Sequence, residues 1–241
     1  MEMVFEGLEQ LQEAMGVKFL QVSLLQRALT HASYVNENPG CTWGDNERLE
    51  YLGDAVIDFV AAEHLYHRFP SWNEGRLTSV RTDLVRAETL AHFAQQIELG
   101  KHLLVGRGEE QGGGRDRVAM LCDAFEALVG ALYLDQGLGG TRTFLLPFLE
   151  DSLGEVVDGV LARDAKTRLQ EWSQARYHEP PSYVTVDERG PDHAKEFTVQ
   201  VLVLGRVRGE GAGRSKQLAE QAAAQAALES LLERDVDSAK A

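Results

Sequence analysis

Residues 46–56 read NERLEYLGDAV, and this stretch carries the strongest chemical and structural signal in the chain. Glu50 and Asp54 are four residues apart, so on a helix their carboxylates share one face. Glu47 lies three residues before Glu50 and falls on the same face. Apolar residues fill most of the neighbouring positions. The stretch therefore predicts a helix that carries acidic groups on a largely apolar surface.

A second acidic pair lies further along, where residues 120–129 read MLCDAFEALV. Asp123 and Glu126 are three residues apart and also share a helix face. An ionised carboxylate on an apolar surface is costly unless a basic side chain, a proton or a cation neutralises it. Few Lys or Arg residues lie near this pair in sequence. Four converging carboxylates suit a hard cation such as Mg²⁺, and a pair of such ions about 3.5–4 Å apart promotes phosphodiester hydrolysis.

The spacings by themselves leave other interpretations open. An acidic pair on a helix is more often a solvated face or half of a salt bridge than a metal site. A di-iron helical bundle is a second alternative, but it needs a Glu-x-x-His pair on each of two helices. The sequence has no such pair, and the nearest approaches are Glu63-His64 and the spacing from Glu88 to His92.

Outward from the two acidic stretches, residues 1–158 have helical periodicity and no strand pattern. Asn38-Pro39-Gly40 marks a loop, Phe69-Pro70 ends the first acidic helix, and Gly137 ends the second. We therefore predict an all-α domain over residues 1–158. Helical spacing recurs from residue 8 to residue 29, and further helices are predicted at residues 47–68, 77–99, 117–136 and 141–157.

The pattern changes near residue 158. Pro180-Pro181 ends a helix predicted to begin at Ala165, and Ser215 is the expected N-cap of a final Ala-rich helix. Between them, alternating apolar residues predict strands at 182–186 and 196–204, a short third strand at 206–209, and a loop at 211–213. The predicted fold class is thus an all-α domain followed by a small α+β domain of order α-β-β-β-α, spanning residues 163–233.

Composition limits the location and class of the protein. Of the 241 residues, 44% are hydrophobic, which is enough for a sizeable core. No apolar run reaches the roughly 18 residues that a membrane span needs, and no signal peptide precedes the first helix. The two cysteines, Cys41 and Cys122, form no disulfide or zinc motif. We therefore expect a cytoplasmic protein without a membrane partner.

The formal net charge is −14, and the excess acid is unevenly distributed. Residues 1–162 hold 12 Lys+Arg against 25 Asp+Glu, whereas residues 163–241 hold 12 against 13. A domain as acidic as the first meets a polyanion only through local basic patches or bound divalent cations. The excess of acidic residues is thus a weak indication of bound metal ions, although an acidic surface that keeps the protein soluble explains it as well.

The segments around the acidic stretches resemble the ribonuclease III family. Besides NERLEYLGDAV, they include Ala28-Leu29-Thr30-His31-Ala32-Ser33-Tyr34, Glu74-Gly75, Gly106-Arg107-Gly108-Glu109-Glu110, and Asp123 to Ala131, in the family's order. Tyr51 stands where the family often has Phe, and Ala119-Met120 where Ser-Ile is frequent; neither departure removes an acidic residue.

The resemblance implies a magnesium-dependent endonuclease that cuts double-stranded RNA, with Mn²⁺ as an alternative ion. It implies catalytic metal ligands at Glu50, Asp54, Asp123 and Glu126, and supporting roles for Glu47 and Glu74. It further implies a homodimer with one active site in each subunit, cleavage to 5′-phosphate and 3′-hydroxyl ends, and ribosomal RNA precursors and structured messenger RNAs as substrates.

Residues 163–233 resemble the double-stranded RNA-binding domain, which recognises A-form shape over about 16 base pairs. The resemblance implies minor-groove contacts from Gln170 and Gln174, one helical turn apart, and from His193. It implies phosphate contacts from Arg214 and Lys216 at the start of the last helix. Gln follows Lys216 where the family commonly has a second Lys, so we predict weak binding by this domain and a mild salt dependence.

Two rival functions remain at this point. A double-stranded RNA-binding protein with a silent nuclease domain predicts a broken carboxylate set, whereas all four acidic residues are present. A dimerisation scaffold that recruits ribosome-assembly factors predicts that function survives the loss of Asp54.

Overall fold

The computed structural model describes residues 7–163, 165–190 and 195–238. The chain divides into two compact units, residues 1–156 and 157–241. Their architecture confirms the predicted fold class, a helical domain followed by an α-β-β-β-α domain. Among the described residues, none of the helices combines the length and the apolar character needed to cross a membrane.

The first unit is built from helices joined by short turns. Two 3-10 turns, Leu99–His102 and Gly114–Asp116, and an isolated bridge between Thr30 and Leu104 supplement them. The helices are α1 (Leu8–Met15), α2 (Val22–Ala28), α3 (Ala32–Glu37), α4 (Glu47–Arg68), α5 (Glu74–Leu84), α6 (Ala87–Gln96), α7 (Arg107–Gln111) and α8 (Val118–Arg163).

The single helix predicted at residues 77–99 is wrong, because the chain forms α5 and α6 there. Arg86 adopts an extended conformation (φ −67°, ψ 158°) and serves as the N-cap residue of α6. The apolar spacing continues across this two-residue break at Val85 and Arg86, so periodicity does not reveal it. The predicted break at Gly137 is confirmed: it has a φ of 67° inside α8, after which the helix resumes.

The core of the first unit centres on an aromatic cluster between α6 and α8. Phe93 of α6 packs against phenylalanines of α8, with ring centroids 5.2–5.9 Å apart within the cluster. The members on α8 are Phe125, Phe144 and Phe148. Phe125 lies between Asp123 and Glu126 on α8. Burial of its ring therefore fixes the direction in which the carboxylates of Asp123 and Glu126 point.

The second unit packs two helices against a three-stranded antiparallel sheet of order β1-β2-β3. Its elements are α9 (Ala165–Tyr177), β1 (Ser182–Arg189), β2 (Glu196–Val203), β3 (Arg206–Gly213) and α10 (Lys216–Ser238). The predicted Ser215 cap of α10 is confirmed, since its Oγ accepts a hydrogen bond from Leu218 N at 3.2 Å.

The third strand is longer than predicted. Residues 211–213, expected to form a loop, continue β3 opposite Phe197 and Val199. A Cβ on Gly211 would lie 2.2 Å from Ala223 N, and one on Gly209 would lie 2.4 Å from Ala223 O. The glycines therefore allow α10 to pack directly against the backbone of β3. In the sequence, the same glycines are typical of a turn, which is why a loop was predicted there.

Candidate active site

Two glycines bring the acidic helices into direct backbone contact. A Cβ on Gly53 of α4 would lie 1.8 Å from the carbonyl oxygen of Glu126, and one on Gly130 of α8 would lie 2.1 Å from that of Leu49. Real Cβ atoms essentially never approach other heavy atoms within 3.0 Å, so neither position accepts a side chain. The crossing places the Glu50 and Asp54 segment of α4 against the Asp123 and Glu126 segment of α8.

Sequence reasoning assigned no role to these glycines. A signal was nevertheless present, because glycine inside a helix costs about 1 kcal/mol relative to alanine and therefore points to a packing requirement. Gly53 directly precedes Asp54, and Gly130 follows Glu126 by one helical turn. The residues that set the distance between the acidic pairs thus lie beside the acidic residues themselves.

The carboxylates of the two helices act on one another electrostatically. Burial, followed by the negative charge of Asp54, raises the pKa of Glu126 to about 7, and the charges of Asp123 and Glu50 act in the same direction. Burial, followed by the charges of Asp123, Glu47 and Asp54, likewise raises the pKa of Glu50. Glu50 and Glu126 therefore each experience acidic groups from the opposite helix, which shows that the two pairs converge.

Within the described residues, the acidic cluster forms no salt bridge. Among the ion pairs formed within residues 7–163, 165–190 and 195–238, none includes Glu50, Asp54, Asp123 or Glu126. The salt-bridge alternative therefore finds no support in the described part of the chain. A proton or a cation must balance the charge instead.

The donor atoms of α8 lie close enough together to share one ion. Ligand atoms of Cys122, Asp123 and Glu126 are all within 4.8 Å of one another. The Cys122 thiol points its Sγ at Glu126 Oε1, 3.6 Å away, and burial strongly raises the pKa of that thiol. Since the thiol stays protonated at neutral pH, the ionised donors here are carboxylate oxygens, which fit a hard ion such as Mg²⁺.

His31 is a further group that sequence reasoning left without a role. Its Nδ1 accepts a hydrogen bond from Ser33 N at 3.2 Å, which caps α3. Burial raises the pKa of Asp123, and the charge of His31 opposes that rise. The histidine at the start of α3 thus belongs to the electrostatic surroundings of the acidic cluster.

Hydrogen bonds around Thr30 hold the start of α4. Asn46, the buried residue before Glu47, donates its backbone N–H to Thr30 O at 2.9 Å. The Trp43 indole Nε1 donates to Thr30 Oγ1 at 3.0 Å. The first turn of α4, which carries Glu47 and Glu50, is thereby tied to the end of α2.

The two supporting residues differ in position. Glu47 is exposed in the first turn of α4, and its charge contributes to the raised pKa of Glu50. Glu74 begins α5, where Asn73 caps the helix, and lines a cavity of about 420 Å³ beside Tyr66 and Trp72. Glu74 is not among the groups that shift the pKa of Glu50, Asp123 or Glu126, so the single chain does not show it joining them.

The predicted RNA-binding residues of the second unit are exposed wherever the structure describes them. Gln170 and Gln174 lie on α9, Arg214 lies between β3 and α10, and Lys216 begins α10. The Lys216 ammonium is 5.7 Å from the centre of the Phe197 ring. His193 lies outside the described residues.

Crossed acidic helices followed by an α-β-β-β-α unit define a class of protein, a nuclease domain joined to a double-stranded RNA-binding domain. Residues 21–152 match the family described as Ribonuclease-III-like, and residues 165–231 match the Double-stranded RNA binding motif. The chain therefore belongs to the ribonuclease III family, as the resemblance of its motifs predicted.

Curated relatives and solved structures agree with this assignment. Ribonuclease 3 of Roseiflexus sp. (strain RS-1) is 49% identical over 216 residues, which cover 89% of this chain and 91% of the relative. Ribonuclease 3 of Desulforamulus reducens is 48% identical, covering 89% and 87%. A crystal structure of the Campylobacter jejuni ribonuclease III nuclease domain is 36% identical with a TM-score of 0.56, covering 61% of this chain and 96% of that one.

Proposed function

We propose that this protein is a magnesium-dependent endonuclease that hydrolyses phosphodiester bonds in double-stranded RNA. The observation that supports this most is the convergence of four carboxylates from α4 and α8 without a described basic partner. Residues 1–158 carry the catalysis, and residues 163–233 hold the duplex. Its substrates are ribosomal RNA precursors and structured messenger RNAs. Both cysteines are free thiols, which is consistent with a reducing cytoplasm.

In the proposed reaction, Glu50 and Asp54 of α4 and Asp123 and Glu126 of α8 supply oxygen donors to the cation. A Mg²⁺ ion held there would supply Lewis acidity toward the attacking water and the leaving oxygen, with Mn²⁺ as an alternative. Because burial raises the pKa of Glu126 to about 7, this side chain would have to release its proton near neutral pH in order to hold a cation.

The bond changes fix the ends of the product. Water adds to phosphorus while the bond from phosphorus to the 3′ oxygen breaks, and the 3′ oxygen then takes up a proton. This gives the 5′-phosphate and 3′-hydroxyl ends. In the second unit, Gln170, Gln174 and His193 contact the minor grooves, and Arg214 and Lys216 contact phosphates.

The decisive test compares Glu126→Gln with Glu155→Gln on a perfect RNA duplex in Mg²⁺. Glu155 lies on the same helix and is exposed, so its replacement controls for the loss of one acidic charge. Glu126→Gln should abolish cleavage while duplex binding persists, and Glu155→Gln should cleave normally. Retained turnover by Glu126→Gln would falsify the catalytic assignment, and absence of cleavage by the wild type would favour a silent nuclease domain.

Complementation separates the enzyme from the scaffold alternative. A strain that depends on this protein should not be rescued by Asp54→Asn if cleavage is the function. Rescue by that variant would favour a scaffold that recruits other assembly factors.

The active form is a homodimer in this proposal. Tyr51, beside Glu50, is 83% exposed, and it lines a cavity of about 520 Å³ together with Leu134 and Leu52. An aromatic ring left this exposed beside leucine side chains suits a protein contact, and Arg27, Glu47 and Arg48 add charged groups to the same cavity wall. Besides the Campylobacter jejuni nuclease domain already compared, a second structure of that domain concerns structural flexibility in its region involved in dimer formation.

Sedimentation analysis tests the dimer. Tyr51→Arg should shift the protein toward monomer, because a charge would be buried in the contact. Leu204→Arg replaces an exposed apolar residue of the second unit and should leave the mass unchanged. A monomeric wild type at micromolar concentration would contradict the dimer.

A further inference from the structure

At one end of the sheet in the second unit, an acidic side chain lies close to basic side chains. The strand register pairs Glu188 of β1 with Phe197 of β2, and Phe197 with Gly213 at the end of β3. Lys195 precedes β2, and its Nζ lies 2.8 Å from Glu188 Oε1. Lys216 begins α10, with its Nζ 5.7 Å from the centre of the Phe197 ring. Glu188 thus forms an ion pair with Lys195 and lies opposite the residue whose ring is beside the Lys216 ammonium.

Two positive charges act on this one carboxylate. The hydrogen bond from Lys195 and the charge of Lys195, together with the weaker effect of Lys216, hold the pKa of Glu188 below its ordinary value. Glu188 is consequently ionised at neutral pH. A carboxylate in this position interacts with the ammonium groups much as an incoming phosphate would.

We propose that the Glu188 carboxylate competes with RNA phosphate for the Lys195 and Lys216 ammonium groups and thereby limits the affinity of this domain for duplex RNA. The inference rests on the proposed function, in which Lys216 contacts a phosphate. A phosphate that approaches Lys216 must also approach the negative charge of Glu188. The Lys195 charge that would otherwise attract the RNA is partly offset by its ion pair.

Two other ion pairs between described residues of this unit are arranged differently. Lys166 pairs with Glu220, and Arg189 pairs with Asp187. Asp187 pairs in register with Thr198, and Glu220 lies on α10, whereas Glu188 pairs in register with Phe197, whose ring lies beside the Lys216 ammonium. Glu188 is therefore the acidic residue whose removal should alter phosphate binding most directly.

The test measures binding of full-length protein to an RNA duplex of about 16 base pairs or more, the span of one such domain. EDTA in the buffer prevents cleavage, and fluorescence anisotropy is followed over a range of salt concentrations. Glu188→Gln should tighten binding about threefold at low salt and steepen the logarithmic salt slope by up to about 0.9. The tightening should fade at high salt, where charges are screened.

Two controls identify the cause. Glu229→Gln removes an exposed carboxylate of α10 that accepts a hydrogen bond from Gln225, and it should leave the affinity within the error of the wild type. In a Lys216→Ala background, Glu188→Gln should have a smaller effect, because one of the two competing partners is gone.

Three outcomes overturn the competition: unchanged binding by Glu188→Gln, weaker binding by Glu188→Gln, or an equal gain from Glu229→Gln. Weaker binding would mean that Glu188 positions the lysines for the RNA instead of competing with it. If neither the wild type nor Glu188→Gln binds duplex RNA at low salt, the proposed function itself fails, and the two failures are distinguishable.

Discussion

Replacing Gly53 by alanine should disable the nuclease without unfolding it. The new Cβ would start 1.8 Å from the carbonyl oxygen of Glu126, and contact at 3.0 Å or beyond requires α4 and α8 to separate locally by about 1.2 Å. Overpacking of this kind costs about 1–3 kcal/mol of unfolding free energy. The better helix propensity of alanine returns about 1 kcal/mol, so the net destabilisation should be about 0–2 kcal/mol.

The expected loss of activity is larger than the loss of stability. Displacement of catalytic groups by about 1 Å lowers rates by as much as about 100-fold. The same separation moves Glu50 and Asp54 away from Asp123 and Glu126. Single-turnover cleavage of an RNA duplex at saturating Mg²⁺ should therefore slow by about two orders of magnitude, while urea denaturation detects only the small change in stability.

Gly154→Ala is the matched control, because Gly154 is a helical glycine of α8 at which a Cβ would meet nothing within 4 Å. That variant should be as active as the wild type and more stable by up to about 1 kcal/mol. Gly130→Ala, whose Cβ would lie 2.1 Å from Leu49 O, probes the same crossing from the other helix. If Gly53→Ala and Gly130→Ala both cleave at the wild-type rate, the glycine contact does not set the geometry of the site.

Three further predictions concern charge and packing. Because burial raises the pKa of Glu126 to about 7 from an ordinary 4.5, the folded metal-free protein holds this proton more tightly than the unfolded chain does. Stability should therefore fall as the pH rises from about 4.5 through 7, and thermal denaturation in EDTA should show a slope that Mg²⁺ or Glu126→Gln reduces. Lys216→Ala and Arg214→Ala should each weaken duplex binding and reduce the logarithmic salt slope by about 0.9, and an unchanged slope would exclude that residue as a phosphate contact. Gly211→Ala should destabilise the second unit by about 1–3 kcal/mol, since its Cβ would meet Ala223 N at 2.2 Å, and a calorimetric scan without a lowered transition would contradict the close packing.

Much of the candidate site could be predicted from the spacing of acidic residues along each helix. The carboxylates of Glu50 and Asp54 share a face because the α-helix repeats every 3.6 residues, and the same holds for Asp123 and Glu126. The order of elements followed equally from periodicity and from the residues that end helices. Resemblance to the ribonuclease III family predicted that the two acidic pairs form one site.

Other features depend on contacts between distant segments. The break at Arg86 leaves the apolar spacing intact, and the extension of β3 through Gly213 depends on the approach of α10. The position of Glu74 in the wall of a cavity with Tyr66 and Trp72 was equally beyond the reach of sequence.

Sequence by itself determined which acidic residues share each helix face, the change from helices to an α-β-β-β-α unit, and the family. Tertiary structure decided how closely the two acidic faces meet, and how strongly burial and mutual repulsion raise the pKa of Glu126. The physical reason is that helix periodicity is a local property of the backbone. The distance between α4 and α8 depends instead on whether the surfaces at Gly53 and Gly130 let two backbones touch.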